Sequence, residues 1–167
     1  MEGTLRYESA QSERRGTSGE GARTLLSAYA DASFLVSLYI PDVNSAAAAR
    51  ATREAALPIL ITPLTEVEII NAIQLRIFRR ELSGHEARSS TLLFQEDLAS
   101  GVLALKPLTI TMFERAKQMA RKRSSVLGTR SLDLLHVACA VVLQANRLLT
   151  FDYNQEKLAK IEGLKTP

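Results

Sequence analysis

The sequence predicts an α/β fold: a central, mostly parallel sheet of four to five strands, flanked by helices in three layers. Three observations predict it. Short apolar runs alternate with longer helical patterns along the chain, the order that builds a parallel sheet. Residues 130–152, RSLDLLHVACAVVLQANRLLTFD, read as a helix apolar almost all round followed by an apolar strand, and both belong inside. Acidic residues, Asp31 and Asp152, stand where two of the apolar runs stop.

Size and composition set the outer limits. The chain has 167 residues, 46% of them hydrophobic, which suits one domain with a real core. Lys and Arg number 21 against 18 Asp and Glu, so the net charge is +3 and the pI about 9.2. That balance permits an anionic partner such as nucleic acid without requiring one. The single cysteine, Cys139, excludes an internal disulfide framework. No apolar run approaches the ~18–20 residues of a membrane span, and the N-terminus lacks a signal peptide's apolar core. A cytoplasmic protein is expected.

In chain order, residues 1–23 are rich in Gly, Ser, Glu and Arg without periodicity, and are expected to form a disordered tail. The competing readings are an RNA-binding arm through Arg14, Arg15 and Arg23, or a translation start assigned too far upstream. The domain then occupies residues 24–167. Residues 25–30 read as the first strand, Asp31 as its end, and the next stretch as a helix carrying Phe34, Leu35 and Leu38. An Ala-rich helix over residues 45–56 is expected to stop at Pro58, before a strand at Ile59, Leu60 and Ile61. Thr65 is the expected N-cap of a long helix and Glu68 its N3 partner, the capping-box spacing. Its apolar stripe is Val67, Ile70, Ile73 and Ile77. A helix over residues 85–99, a strand over 102–105 and an amphipathic helix over 111–123 follow, the last with Phe113, Ala116 and Ala120 inward. A short helix over residues 154–161 closes the domain, with Gly163 as its C-cap.

In open parallel sheets, ligands bind beyond the carboxyl ends of the strands. Asp31 and Asp152 would face that edge, and Asp133 and Glu68 lie near helix starts returning to it. Four converging carboxylates repel one another unless some stay protonated, and a divalent cation removes the conflict. An oxygen-only donor set suits Mg2+ or Mn2+ rather than zinc.

The segments DASFLVSLY around Asp31, TEVEIINA around Glu68, SLDLLHVACA around Asp133 and LLTFDYNQEKLA around Asp152 closely resemble PIN-domain proteins of the VapC type. These are the toxin ribonucleases of type II toxin–antitoxin pairs. Each motif alone is weak, but the ordered set of four is specific, and it spans the chain from residue 25 onward. The tail departs from the pattern, since such toxins start almost directly at the first strand. The resemblance implies a PIN-like fold and a Mg2+- or Mn2+-dependent endoribonuclease. Asp31, Asp133 and Asp152 would hold the metal, and Glu68 would ligate it or orient and deprotonate the attacking water. It also implies a homodimer and a cognate antitoxin, with exposed apolar residues around 69–78 and 92–98 as contact surfaces.

Each residue also has a plainer reading. Asp31 and Asp152 could be turn residues, and Glu68 only a cap, with Glu66 competing for its role. Ser33, Thr150 and Asn71 either serve the site or act as local caps and surface. His136, one turn from Asp133, is expected to line the groove with a local hydrogen bond. Cys139 is expected in the core, and His85 at a helix start. Arg76, Arg79, Arg80, Arg121, Lys122, Arg123 and Arg130 are either solvated faces or a rim for an RNA backbone. Three other functions are carried: a PIN-fold nuclease of RNA processing, an inactive PIN module binding RNA or protein, and, more distantly, an aspartyl phosphatase. The phosphatase is disfavoured because Ser33 stands where its second Asp belongs.

Overall fold

A computed structural model describes residues 26–167; the tail expected over 1–23 lies outside the described residues. Four strands form the sheet: β1 (Leu26–Ala30), β2 (Ala55–Ile61), β3 (Leu103–Leu105) and β4 (Arg147–Leu149). Their spatial order is β3-β2-β1-β4 and every pairing is parallel. The helices are α1 (Ala32–Tyr39), α2 (Ser45–Glu54), α3 (Pro63–Phe78), α4 (Gly84–Ala99), α5 (Ile110–Met119), α6 (Ser125–Leu127), α7 (Ser131–Val142) and α8 (Tyr153–Ile161). The α/β class and parallel, helix-flanked sheet read from the sequence are those observed.

Strand alternation divides the core between the two faces of the sheet. Ala28, Ala30, Ile59, Ile61 and Leu149 face one way, into a cluster with Phe34 and Leu35 of α1, Ile69 and Ile73 of α3, and Phe94 of α4. Tyr29 and Leu148 face the other, with Met112 and Met119 of α5, Val137 to Ala140 of α7, and Leu158 and Ala159 of α8. Cys139 is buried there beside Met112, a packing role as expected.

The structure departs from the local pattern of the sequence at several points. The second helix ends at Glu54, not at Pro58, which sits inside β2 with a cis Leu57–Pro58 bond. Strand pairing is irregular there, with β1–β2 partners stepping from Ser27↔Ala56 to Tyr29↔Leu60, and an irregular stretch tolerates a proline. The inward face of α3 is Thr65, Ile69 and Ile73; Val67 is 66% exposed and Ile70 is 46% exposed. Adjacent apolar residues satisfy either register, and the interior chose the one that brings Thr65 to Tyr29. Thr65 is therefore no N-cap: α3 begins at Pro63, whereas Ser83 and Glu86 form a capping box at the start of α4. In α5, Met112 points inward while Phe113 is exposed. The helix expected to reach residue 123 stops at Met119 and continues as a π-helical turn, Ala120–Ser124. Leu132 of α7 is exposed rather than buried. The final helix ends as expected: Gly163 takes a positive φ of 85°, and Leu164 N–H returns to the Ala159 carbonyl.

Candidate active site

The strand order reverses between β1 and β4: β2 and β3 extend the sheet on one side of β1, and β4 is added on the other. Such a switch point opens a crevice at the carboxyl edge, because the connections leave in opposite directions. Asp31 follows β1 and Asp152 follows β4 by three residues, so the two flank that crevice. Both are N-caps. Asp31 accepts from Phe34 N–H (2.9 Å) at the start of α1. Asp152 accepts from Asn154 and Gln155 N–H (2.8 and 3.0 Å) at the start of α8. Asp133 lies in the first turn of α7, where its carboxylate accepts the Arg130 backbone N–H at 2.8 Å. Glu68 enters from the second turn of α3.

These four carboxylates line one pocket of about 540 Å³, together with Ser33, Arg130, Ser131, Leu132, His136 and Gln155. Asp31 is the most enclosed. The Ser33 hydroxyl straddles its two oxygens (2.8 and 2.9 Å), and Thr150 donates to Oδ2 at 2.7 Å. Burial pushes its pKa above the ordinary aspartate value, and the hydrogen bonds from Phe34, Thr150 and Ser33 counter this only in part. Ser33 and Thr150 are in turn fixed, accepting Phe151 N–H (2.9 Å) and Asp152 N–H (3.0 Å). Both hydroxyls therefore belong to the Asp31 cluster. Arg130, largely exposed, spans two acids: Nε lies 3.5 Å from Asp133 and Nη2 lies 3.6 Å from Asp152. Glu68 hydrogen-bonds His136.

The donor set fits a hard divalent cation. It offers four carboxylates and no cysteine, and the one among them that is both buried and short of compensation, Asp31, is the kind of group a cation relieves. It is not a preformed cage. Among the described residues, no three His, Cys, Asp or Glu side chains stand close enough together to hold one ion. The expected convergence on a single point is thus replaced by a shared pocket, in which Arg130 and His136 occupy three of the acids.

Other expected residues lie elsewhere. Asn71 is exposed on α3 and Glu66 is half-buried; neither lines the pocket. Of the candidate arginines, Arg130 alone lines it. Arg76 approaches Asp42 (3.9 Å) and Arg123 approaches Glu162 (3.7 Å), while Arg79, Arg80, Arg121 and Lys122 are exposed. His85 is exposed at the start of α4. Two features escaped the sequence reading. Gln155 lines the pocket with its Oε1 buried and without a hydrogen-bond partner among the described residues. His136 bonds not locally but to Glu68 and Tyr29, 68 and 107 residues away.

The sequence matches the model of the PIN domain over residues 28–161. The chain belongs to the PIN-domain family. The PIN-like assignment of the sheet and its flanking helices therefore holds. Among solved structures, the PIN fold seen here is similar to that of Mycobacterium tuberculosis VapC20, described as a toxin that cleaves the sarcin–ricin loop. The two superpose with a TM-score of 0.61 at 15% identity, over 78% of this chain and 94% of that one. At that identity the likeness speaks for a VapC-like PIN fold. No curated protein sequence matches this chain. Among the described residues, no helix of this PIN domain is long and apolar enough to cross a membrane.

Proposed function

We propose that this PIN-domain chain is a metal-dependent endoribonuclease that hydrolyses RNA phosphodiester bonds, and that it is the toxin of a toxin–antitoxin pair. One observation carries the reading: Asp31, Glu68, Asp133 and Asp152, from four separate segments, open onto one pocket at the carboxyl edge of a parallel sheet. Mg2+ or Mn2+ would be held once the side chains of Asp31, Asp133 and Asp152, too far apart as they stand, draw together on it, with Glu68 as a further ligand. When bound, it would lower the pKa of a water and offset the charge of the phosphodiester.

The chain's own residues do the rest. Ser33, Thr150 and the Phe34 N–H fix the Asp31 carboxylate, and the first turn of α8 fixes Asp152. Glu68 is free at one oxygen of its carboxylate to take a proton from the attacking water. Arg130 is the mobile cation of the site: a long, exposed side chain at long range from its two acids can exchange them for a phosphate oxygen when RNA enters. Arg79, Arg80, Arg121 and Lys122 are exposed and available to the RNA backbone. Exposed Val67, Ile70, Leu75, Phe78, Leu92 and Leu93 on α3 and α4 offer apolar surface for the antitoxin or a second copy. Ile69, Ile73 and Phe94, inside the same stretches, are buried and take no part.

The test is cleavage of a mixed RNA pool with added Mg2+ or Mn2+ and with chelator, comparing the chain with its Asp31→Asn variant. Metal-dependent cutting that disappears in the variant supports the reading. Equal cutting by both proteins, or no cutting by folded wild type with either metal, overturns it.

A further inference from the structure

The proposed function leaves unused a buried polar chain that runs inward from the pocket. His136 is 1% exposed, deep among apolar neighbours on α7. Its Nε2 meets Glu68 Oε2, and its Nδ1 lies 3.0 Å from the Tyr29 hydroxyl. That hydroxyl lies 3.0 Å from Thr62 Oγ1 and 3.1 Å from Thr65 Oγ1, and Thr65 also reaches the Ala30 carbonyl at 3.4 Å. Tyr29, Thr62 and Thr65 are all fully buried.

Donor counting orders these bonds. The Glu68 carboxylate only accepts, so the hydrogen of this contact is on Nε2. Burial pushes the Tyr29 phenol's pKa far above its ordinary value, so Tyr29 keeps its proton and can donate it to Nδ1. Thr62 or Thr65 can donate to the phenol oxygen in return. Every group in the chain is then satisfied, with one tautomer of His136 selected from within the core.

We propose that His136 is a positioning residue, held from behind by the Tyr29 hydroxyl, that fixes the Glu68 carboxylate at the pocket wall for its work on the metal or its water. The inference rests on the function proposed above and deepens it. Glu68 is a long side chain on the side of a helix, partly open to solvent, and no other hydrogen bond restrains it among the described residues. A carboxylate left to sample rotamers loses entropy each time it must engage, whereas one tied to a buried ring has lost it already. The sheet supplies the anchor, because Tyr29 is a buried residue of the inner strand β1, paired with both Leu60 and Leu148.

The test uses full-length protein stripped with chelator, titrated with Mn2+ by calorimetry, with thermal melts to establish folding. His136→Leu is expected to weaken Mn2+ binding by about 10–100-fold, the usual cost of removing a partner that orients a ligand. His136→Gln, whose side-chain amide can donate to Glu68, is expected to restore most of that loss, and Tyr29→Phe to weaken binding less than His136→Leu does. By 15N NMR, the His136 ring of wild type is expected to carry its hydrogen on Nε2. Folded His136→Leu that binds Mn2+ as wild type does overturns this inference alone. So does a ring protonated only at Nδ1, and this readout decides the matter if His136→Leu does not fold. Folded wild type that binds no Mn2+ overturns the metal-dependent function, and this inference with it.

Discussion

Asp31 and Glu68 share a pocket but are held in opposite ways. Asp31 is a short side chain at the end of an inner strand, almost fully buried, with donors from Ser33, Phe34 and Thr150 around it. Glu68 is long, partly exposed, and tied by one bond to a ring from a helix 68 residues further on. The first carries an electrostatic load: even with its donors, desolvation leaves its carboxylate harder to ionise than usual. The second carries a conformational one, relieved by borrowing rigidity from the core. Substitutions should therefore separate charge from order.

The largest expected effect lies on the charge side. Asp31→Asn is expected to slow metal-dependent cleavage by about 10³-fold or more, several kcal/mol of transition-state charge stabilisation. Glu68→Gln, which keeps shape and one acceptor, is expected to lose less, and single-turnover rates on one RNA would rank them. Equal losses would erase the distinction. Next comes support for Asp31. Thr150→Val removes a hydrogen bond to a buried carboxylate and is expected to cost about 1.5–3 kcal/mol of stability, measured by denaturant unfolding. In an Asp31→Asn background that cost should shrink, and a double-mutant cycle reads the difference.

A smaller effect has the opposite sign. A buried Asp31 with a raised pKa keeps its proton in the folded state at pH values where the unfolded chain has lost it. Stability is therefore lowered as pH rises past the ordinary aspartate range, and the penalty is absent below it. Asp31→Asn, melted in chelator, should leave Tm unchanged or raise it by about 2–4 °C near pH 7, the equivalent of ~1 kcal/mol at this chain length. Near pH 3 the difference should vanish. A large drop in Tm at neutral pH would mean that the hydrogen bonds of Asp31 outweigh its charge. The smallest effect belongs to Arg130→Gln. Exposed, loosely paired guanidinium groups contribute under ~1 kcal/mol, so the melt should barely move. Mn2+ affinity should rise as a competing cation leaves Asp133 and Asp152, and calorimetry reads it directly.

What could be read from the sequence follows the same division. Asp31, Asp133 and Asp152 were visible because each stands at a local signal, either just past an apolar strand or in a helix's first turn. Ser33 and Thr150 were visible as short hydroxyls two residues away. Glu68 stands in a motif, but its bond is not legible there: capping spacing points to Thr65, while the fold turns Thr65 inward to Tyr29 and gives Glu68 to His136. No local pattern encodes a contact across 68 or 107 residues. The same limit explains the inward faces of α3 and α5. Ile69 competes with Ile70, and Met112 with Phe113, and periodicity cannot choose between adjacent apolar residues when the deciding partner lies across the sheet. Nor does composition mark the π-helical turn at Ala120–Ser124.

The chain beyond α8 doubles back along β4. Leu148 N–H bonds the Lys165 carbonyl at 2.8 Å, and Lys165 N–H bonds the Asn146 carbonyl at 3.0 Å. At the far margin, β3 is only three residues long. One border is thus stitched shut and the other is too brief to template a neighbour. Among the described residues, neither border of the sheet therefore offers a long unpaired strand to the backbone of a second copy.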